Sequence, residues 1–323
     1  MKVLKSEFFD CFLKIKTYVP FEQSSGWFSF KEHSCSETLF FVDNVNQPNV
    51  MCWGRIFHKP LVGAILDIQG EVVSDSISTK VLTSFYKSII EDACVQMVTY
   101  NSMHIYNTNM EIALRSAGFL RPFGNRVCPL TQIVAIQNNR DFDRNWKRNL
   151  KKAAENNLSF EFIEKPTIQD SIIVCQLFEE LKVRKNLSYG LEAQSLFKIL
   201  TSTDYYLFYV KKGQTVLCAR IVYCNQSMAA DVFAANSSDS MKYSATHFLM
   251  ENIFYWLKNK GVEKFDFSRI PPSLYPVNSV YTFKKSAGGY PITYLGEWMW
   301  TKNKFLMLLF CFYNFFLHKS NIY

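Results

Sequence analysis

The chain has 323 residues, of which 48% are hydrophobic and 20% are charged, and it contains only 12 Gly and 10 Pro. This length suits about two domains with sizeable cores, and the composition excludes collagen-like and disordered chains. The formal net charge of +8 favours an anionic partner, such as nucleic acid, a phosphate group or a membrane surface, without choosing among them.

The cysteines and the chain ends predict the compartment. The nine cysteines form no CxxC pair, so we expect reduced thiols. The N-terminal sequence lacks a secretion signal, which predicts a cytoplasmic protein. The apolar run at 305–317 is shorter than the roughly 20 residues of a membrane span. We therefore expect residues 301–323 to pack on the core or to lie on the surface of the cytoplasmic membrane.

The first part of the chain alternates strand-like and helix-like patterns. Their order is strands at 39–45, 49–58 and 61–73, a helix at 78–93, a strand at 94–100, a helix at 109–116 and a strand at 127–136. This order is typical of a mixed α/β domain, which we place at residues 1–140.

A basic helix follows at 141–157, with an aspartate at its start as the cap. Its spacing of i, i+3, i+4, i+7 and i+8 puts five cations on one face: Arg144, Lys147, Arg148, Lys151 and Lys152. We interpret 141–158 as a linker between two domains. The cations either contact the phosphates of a nucleic acid or are simply solvated.

The second part of the chain repeats the order of the first. It predicts strands at 205–210, 215–223 and 228–235, a helix at 244–260 and a strand at 263–267. The segment 247–267 matches 80–100 in length and apolar pattern, which indicates an internal duplication. We place the second domain at 159–300.

Several classes of active site have no signal. The sequence contains no P-loop, no GxGxxG after a strand and no GxSxG elbow. The five histidines have no metal-ligand spacing, and no cysteine has the context of a nucleophile, so we expect neither a metal site nor a covalent protein intermediate.

The most informative motif lies at 261–296. A short strand ends in Asp266-Phe267-Ser268-Arg269, a Pro-rich loop follows, and Phe283-Lys284 precedes a Gly pair. Near the N-terminus, Gln23-Ser24-Ser25-Gly26-Trp27 is followed by Lys31. With the basic helix, these motifs resemble the Fem-type (FemAB/FemX-like) peptidoglycan bridge-forming aminoacyltransferases and their GNAT-like acyltransferase relatives. Ser268 stands where the family often has Gly.

The resemblance implies a fold and an activity. The fold is α/β, with two tandem GNAT-like mixed-sheet domains of the acyl-CoA N-acyltransferase type. The activity is transfer of an acyl or aminoacyl group from acyl-CoA or aminoacyl-tRNA to an amine of a phosphate-bearing cell-envelope precursor, of peptidoglycan or of a polysaccharide. The amine attacks directly, so no protein nucleophile and no tightly bound cofactor are expected.

The resemblance also implies roles for individual residues. Lys284 stabilises the oxyanion, Asp266 accepts a proton or orients Arg269, and Arg269 holds a phosphate. The alternatives are a solvated lysine on a strand for Lys284, a local turn or capping role for Asp266, and an ion pair with Asp266 for Arg269. The residues expected to bind substrate are Gln23, Trp27, Lys31 and Arg148; a core position is the other reading for the tryptophan.

The donor site is expected at the turn before the helix at 244–260, with Tyr243, Ser244 and Thr246 as contacts. This turn has no Gly to let the backbone approach a pyrophosphate closely, so the choice between CoA and tRNA stays open. Two other functions also stay open. One is a CoA-dependent N-acetyltransferase acting on an amino sugar, and the other is a non-catalytic scaffold that binds nucleic acid or membrane.

Overall fold

A computed structural model of the chain describes residues 1–32, 37–122, 127–138, 142–269 and 279–317. The strands in these ranges are β1 (Lys2–Val3), β2 (Glu37–Val42), β3 (Val50–Lys59), β4 (Gly63–Gln69), β5 (Val72–Val73), β6 (Met97–Ile105), β7 (Leu130–Ala135), β8 (Ser159–Ile163), β9 (Tyr205–Lys212), β10 (Thr215–Asn225), β11 (Met228–Asn236), β12 (Lys264–Asp266) and β13 (Tyr290–Thr301).

The α-helices of the same ranges follow in chain order. They are α1 (Lys5–Cys11), α2 (Ser25–Lys31), α3 (Thr79–Ala93), α4 (Thr108–Ser116), α5 (Arg144–Ala154), α6 (Ile168–Lys185), α7 (Ala193–Leu200), α8 (Ala245–Asn259), α9 (Ser279–Ser286) and α10 (Lys304–Leu317).

The first compact unit, unit 1, consists of Met1–Ser25, Glu32–Leu130 and Ile292–Tyr323. Its strands lie in the order β1-β2-β3-β4-β6-β13. Neighbours are antiparallel except for β4 and β6, which are parallel and joined through α3. Buried side chains of α3 and α4, such as Phe85 and Leu114, cover one face of this sheet.

The second compact unit, unit 2, consists of Gly26–Lys31 and Thr131–Pro291. Its strands lie in the order β8-β9-β10-β11-β12-β7. Again the neighbours are antiparallel except for one pair, β11 and β12, which are parallel and joined through α8. The apolar face of α8, including Leu249 and Ile253, packs into the core of this unit.

The two units therefore share one strand order and one set of strand directions. The predicted fold class, two tandem mixed-sheet α/β units, is confirmed. The compact units do not follow the predicted ranges 1–140, 141–158 and 159–300. Gly26–Lys31 and the helix α5 belong to unit 2, and among the strands β7 belongs to unit 2 and most of β13 to unit 1. The reason is pairing, because β7 bonds to β12 and β13 bonds to β6. Each sheet thus receives its last strand from the other part of the chain.

Local backbone chemistry explains where the observed elements depart from the predicted ones. The predicted strand at 61–73 is divided into β4 and β5 at Gly70, whose φ of 76° is readily adopted only by glycine. The predicted strand at 94–100 begins at Met97, because Cys94 ends α3 in the left-handed conformation. Lys284 lies on a helix, α9, rather than on a strand. No helix of the described residues is long and apolar enough to cross a bilayer.

Candidate active site

The candidate site begins at the end of β12 in unit 2, where Asp266 is buried. Its Oδ1 atom accepts hydrogen bonds from Thr131 Oγ1 at 2.5 Å and from Ser268 N at 2.7 Å. Burial raises the pKa of Asp266 from 3.8 to about 6, although these two bonds and the nearby charges of Lys284 and Arg269 oppose the shift. A carboxyl group with this pKa can accept a proton near neutral pH.

Lys284 lies against the same turn. Its Nζ atom donates to the carbonyl oxygen of Phe267 and, at 3.5 Å, to that of Ser268. Burial lowers the pKa of Lys284, and the charge of Arg220 adds to the effect, while carboxylates of the site oppose it. Among the described residues Lys284 thus has two acceptors for its three N–H groups, which leaves one N–H for a reacting group.

A buried ion pair on the neighbouring strands completes the charge cluster. Arg220 on β10 donates from Nη1 to Asp231 Oδ2 on β11 at 3.0 Å, and the two side chains are only 5% and 7% exposed. Ser268 Oγ donates to the backbone oxygen of Asp231 at 2.5 Å, which ties the pair to the β12 turn. Arg220 Nε and Asp231 Oδ1 have no hydrogen-bond partner among the described residues.

No motif includes this pair, although the strand sequences carry a signal for it. Arg220 interrupts the apolar strand Thr215–Asn225, and Asp231 interrupts the apolar strand Met228–Asn236. A single charge in each of two apolar strands that follow one another predicts a buried pair, because a charge in a central strand needs a counter-charge.

A cavity of about 520 Å³ opens beside the cluster, at the N-terminal end of α8. Its wall contains Arg220, Arg184, His247 and Phe283, and no Asp or Glu of the described ranges lines it. Arg184 donates from Nη2 to the backbone and side-chain oxygens of Asn236, both at 3.1 Å. Its buried Nε and Nη1 atoms have no partner in the described part of the chain, and its guanidinium group adds positive charge beside the cavity.

The predicted donor contacts fall partly on this cavity. Ser244 and Thr246 line it, whereas Tyr243 is not on its wall and stacks instead against Lys212, 3.9 Å from the ring centre. Ser244 adopts a left-handed φ of 54° and donates from Oγ to Asn149 Oδ1 at 3.1 Å. His247 stays neutral, because burial lowers its pKa to about 4.

The residues of the N-terminal motif are divided between the two units. Trp27 stacks on Phe233 of β11, with ring centres 5.9 Å apart, and Lys31 Nζ lies 5.0 Å from the Trp27 ring centre. Gln23 belongs to unit 1, where its side-chain amide bonds to the backbone of Trp53 and Gln69. The side chain of Gln23 therefore links backbone groups of two neighbouring strands of unit 1.

The remaining predicted residues lie at the surface or beside the cluster. Asp143 caps α5, and Trp146 anchors the helix in the core of unit 2. Arg148 is exposed on the opposite face, with the other cations of the helix. Arg269 is half-buried, next to the turn that holds Asp266. Among the described residues, no group of three or more His, Cys, Asp or Glu side chains could hold a metal ion.

Comparison with known proteins identifies related folds. No protein-family model and no curated protein sequence matches the chain. The structure of FemX matches 96% of this chain and 99% of its own, with a TM-score of 0.78 at 15% identity. The C-terminal domain of a putative lysylphosphatidylglycerol synthetase from Agrobacterium fabrum gives a TM-score of 0.62 at 13% identity, each chain being covered to 96%.

L-PGS from Bacillus licheniformis gives a TM-score of 0.59 at 14% identity, with 91% of this chain and 98% of that chain covered. At such identities, the likeness establishes the fold. The resemblance to Fem-type proteins that the motifs predicted is confirmed at that level.

Proposed function

We propose that the protein transfers an acyl or aminoacyl group from an activated carrier to an amine of a cell-envelope precursor. One observation carries the proposal: Asp266 and Lys284 both bond to the turn that follows β12, and Arg220, whose charge acts on Lys284, lines the neighbouring cavity. The fold supports it, because FemX shares the whole of it, and another neighbour is named for lysylphosphatidylglycerol, an aminoacylated lipid.

The chemistry needs only the groups that the site contains. The acceptor amine attacks the carbonyl carbon of the carrier's ester or thioester, and a C–N bond forms. Asp266 takes the proton that the amine loses, and the remaining N–H of Lys284 donates to the developing oxyanion. The tetrahedral intermediate collapses, the carrier oxygen or sulfur leaves and is protonated, and an amide remains.

The donor is proposed to place a phosphate-bearing end in the cavity. Arg184 and Arg220 supply positive charge there, and both acyl-CoA and aminoacyl-tRNA carry phosphates. The N-terminal end of α8 adds a favourable dipole. The turn without Gly favours a tRNA carrier, which needs less backbone contact, and the exposed cations of α5 suit its phosphates. We propose that the reaction takes place in the cytoplasm, where both carriers occur.

The acceptor is proposed to carry a phosphate that Lys31 binds. Lys31 lies at the end of α2, 5.0 Å from the ring centre of Trp27, and Trp27 packs on Phe233 and positions this end of the helix. Arg269 next to Asp266 is a second phosphate ligand in this proposal.

The pH dependence of the rate tests the role of Asp266. We expect kcat/KM to be constant above pH about 6 and to fall roughly tenfold per pH unit below it, because the protonated carboxyl group cannot accept a proton. Asp266→Asn should lower the rate by about 10²–10⁴ and remove this limb of the profile.

Stability should follow pH in the opposite direction. The pKa of Asp266 is about 6 in the folded protein against 3.8 for the free side chain, so folding favours the protonated form. Its contribution to stability is therefore lost as pH rises from about 4 to 6. If kcat/KM falls as pH rises from about 4 to 6, as stability does, Asp266 is not the proton acceptor. The same conclusion follows if Asp266→Asn leaves the pH profile of the rate unchanged.

Charge reversal on α5 tests the tRNA carrier. The double variant Arg148→Glu with Lys151→Glu should weaken tRNA binding. If both cations contact phosphates, the slope of log K against log salt concentration should also become less steep by about 1.4–1.8. Lys80→Glu with Lys87→Glu on α3 is the matched control, since it changes the net charge equally at exposed positions. Equal weakening by the two double variants would make α5 a solvated linker.

A further inference from the structure

The helix α10 has two apolar faces, and the described residues of the chain cover one of them. Leu306, Met307 and Phe310 pack against a small cluster in unit 1 that includes Met97 and Met299. The outer face carries large apolar side chains that are 56–63% exposed, at the helical spacing i, i+3, i+7 and i+11: Phe305, Leu308, Phe312 and Phe316. Four such side chains on one stripe exceed the scattered apolar residues of an ordinary surface.

A turn with an exposed leucine belongs to the same region of unit 1. Val62, in the turn between β3 and β4, packs against the cluster that anchors α10. Its neighbour Leu61 is 89% exposed and has a φ of 68°, a backbone conformation that is uncommon for a bulky side chain. A strained turn that holds an apolar side chain in solvent fits a binding role better than a folding role.

The charges near this surface have one sign. Lys59 flanks Leu61, while Lys302 and Lys304 precede the outer face of α10, and all three are exposed. The stretches 57–63 and 302–317 contain no Asp or Glu. Aromatic and aliphatic side chains beside lysines are typical of helices that lie in the headgroup region of a bilayer.

We propose that the outer face of α10 and the Leu61 turn form a docking surface for a membrane that contains anionic phospholipid. At about 1.5 Å per residue, the 14-residue helix is roughly 21 Å long, which suits a helix lying along the interface. The apolar stripe enters the boundary between headgroups and acyl chains, and the lysines contact lipid phosphates. This inference is independent of the proposed reaction, because it rests on residues of unit 1 only.

Vesicle co-sedimentation of the full chain tests the proposal. Wild-type protein is expected to bind vesicles of phosphatidylcholine with 30% phosphatidylglycerol, and to bind pure phosphatidylcholine more weakly. Leu61→Ser and Phe312→Ser should each lower the affinity by about tenfold or more, because each removes an apolar side chain that would enter the bilayer. Leu13→Ser is the matched control, since Leu13 is 90% exposed, also in unit 1 and next to a lysine.

An unchanged affinity in both Leu61→Ser and Phe312→Ser, with the proteins folded, would overturn the proposal. So would wild-type protein that stays in the supernatant with both lipid mixtures. Sedimentation velocity without vesicles tests whether the surface instead joins copies of the chain. If the two substitutions dissociate an oligomer and leave vesicle binding unchanged, the surface is an interface between copies and the proposal is overturned. A selective loss of binding to anionic vesicles in these variants, but not in Leu13→Ser, supports membrane docking.

Discussion

Lys284→Ala is expected to lower kcat by about 10²–10³, equal to roughly 2.7–4 kcal/mol, and to leave substrate affinity nearly intact. The reason is that Lys284 is fixed on two backbone carbonyls, and in the proposed mechanism its remaining donor stabilises charge that develops in the transition state. Because such charge is absent from the ground state, losing the donor changes the rate rather than binding. Steady-state kinetics with saturating donor measures the effect.

The matched control is Lys258→Ala on α8, which removes an exposed lysine. This change should alter rate and stability little, since most surface substitutions stay within about 0.5 kcal/mol. A folded Lys284→Ala protein that turns over at the wild-type rate would remove Lys284 from the mechanism. A rise in KM with kcat unchanged would assign the residue to ground-state binding of a phosphate.

Asp231→Ala is expected to destabilise the protein by about 3–5 kcal/mol, because the Arg220 guanidinium then remains buried without its counter-charge. Replacing both partners by apolar residues, Arg220→Met with Asp231→Leu, should recover most of this loss. Denaturant unfolding followed by tryptophan fluorescence measures both variants. Since the charges of both partners act on Lys284, we also expect the apolar double variant to be stable but to have a lower kcat than the wild-type protein.

An exposed ion pair of the same unit is the comparison for this prediction. Lys182 bonds to Glu179 at the surface of α6, and removing it should cost only about 0–1 kcal/mol. If Asp231→Ala costs no more than Lys182→Ala, the buried pair does not stabilise unit 2. An apolar double variant as unstable as Asp231→Ala would show that packing, rather than an unpaired charge, causes the loss.

Local patterns in the sequence predicted most of the elements that frame the site. The apolar spacing of α8, the cap of α5 and the short strand that ends at Asp266 follow from side-chain periodicity and capping chemistry, which act over a few residues. The repeat of helix and strand in the two parts of the chain also indicated the shared topology.

Long-range pairing could not be predicted in this way. The exchange of β7 and β13 between the two units depends on hydrogen bonds between strands that are distant in sequence. The residue pattern of one strand does not specify which strand pairs with it. For the same reason, the bond from Thr131 to Asp266, which spans 135 positions, was missed. The family motif predicts a role for Lys284 but not the helix that carries it. That helix, α9, has only eight residues and follows a Pro-rich stretch, so its apolar residues show no clear helical spacing in the sequence.

Gln23 shows the opposite limitation. The family motif predicts a substrate contact for Gln23, and in the structure its side-chain amide bonds to the backbone of Trp53 and Gln69 in unit 1. A buried amide that satisfies strand backbone is as constrained as one that binds a ligand, so the motif did not distinguish the two roles.

Mass spectrometry of the product tests the central claim most directly. The protein is incubated with acetyl-CoA, or with tRNA charged with alanine, glycine or lysine, and with an amine acceptor such as a nucleotide-linked muramyl peptide. The proposal predicts an amide product whose mass has grown by one acyl or aminoacyl group, formed by the wild-type protein and lost in Lys284→Ala and Asp266→Asn. If no donor gives an amide, or if these two variants form it as fast as the wild-type protein, the proposed transfer at this site is contradicted.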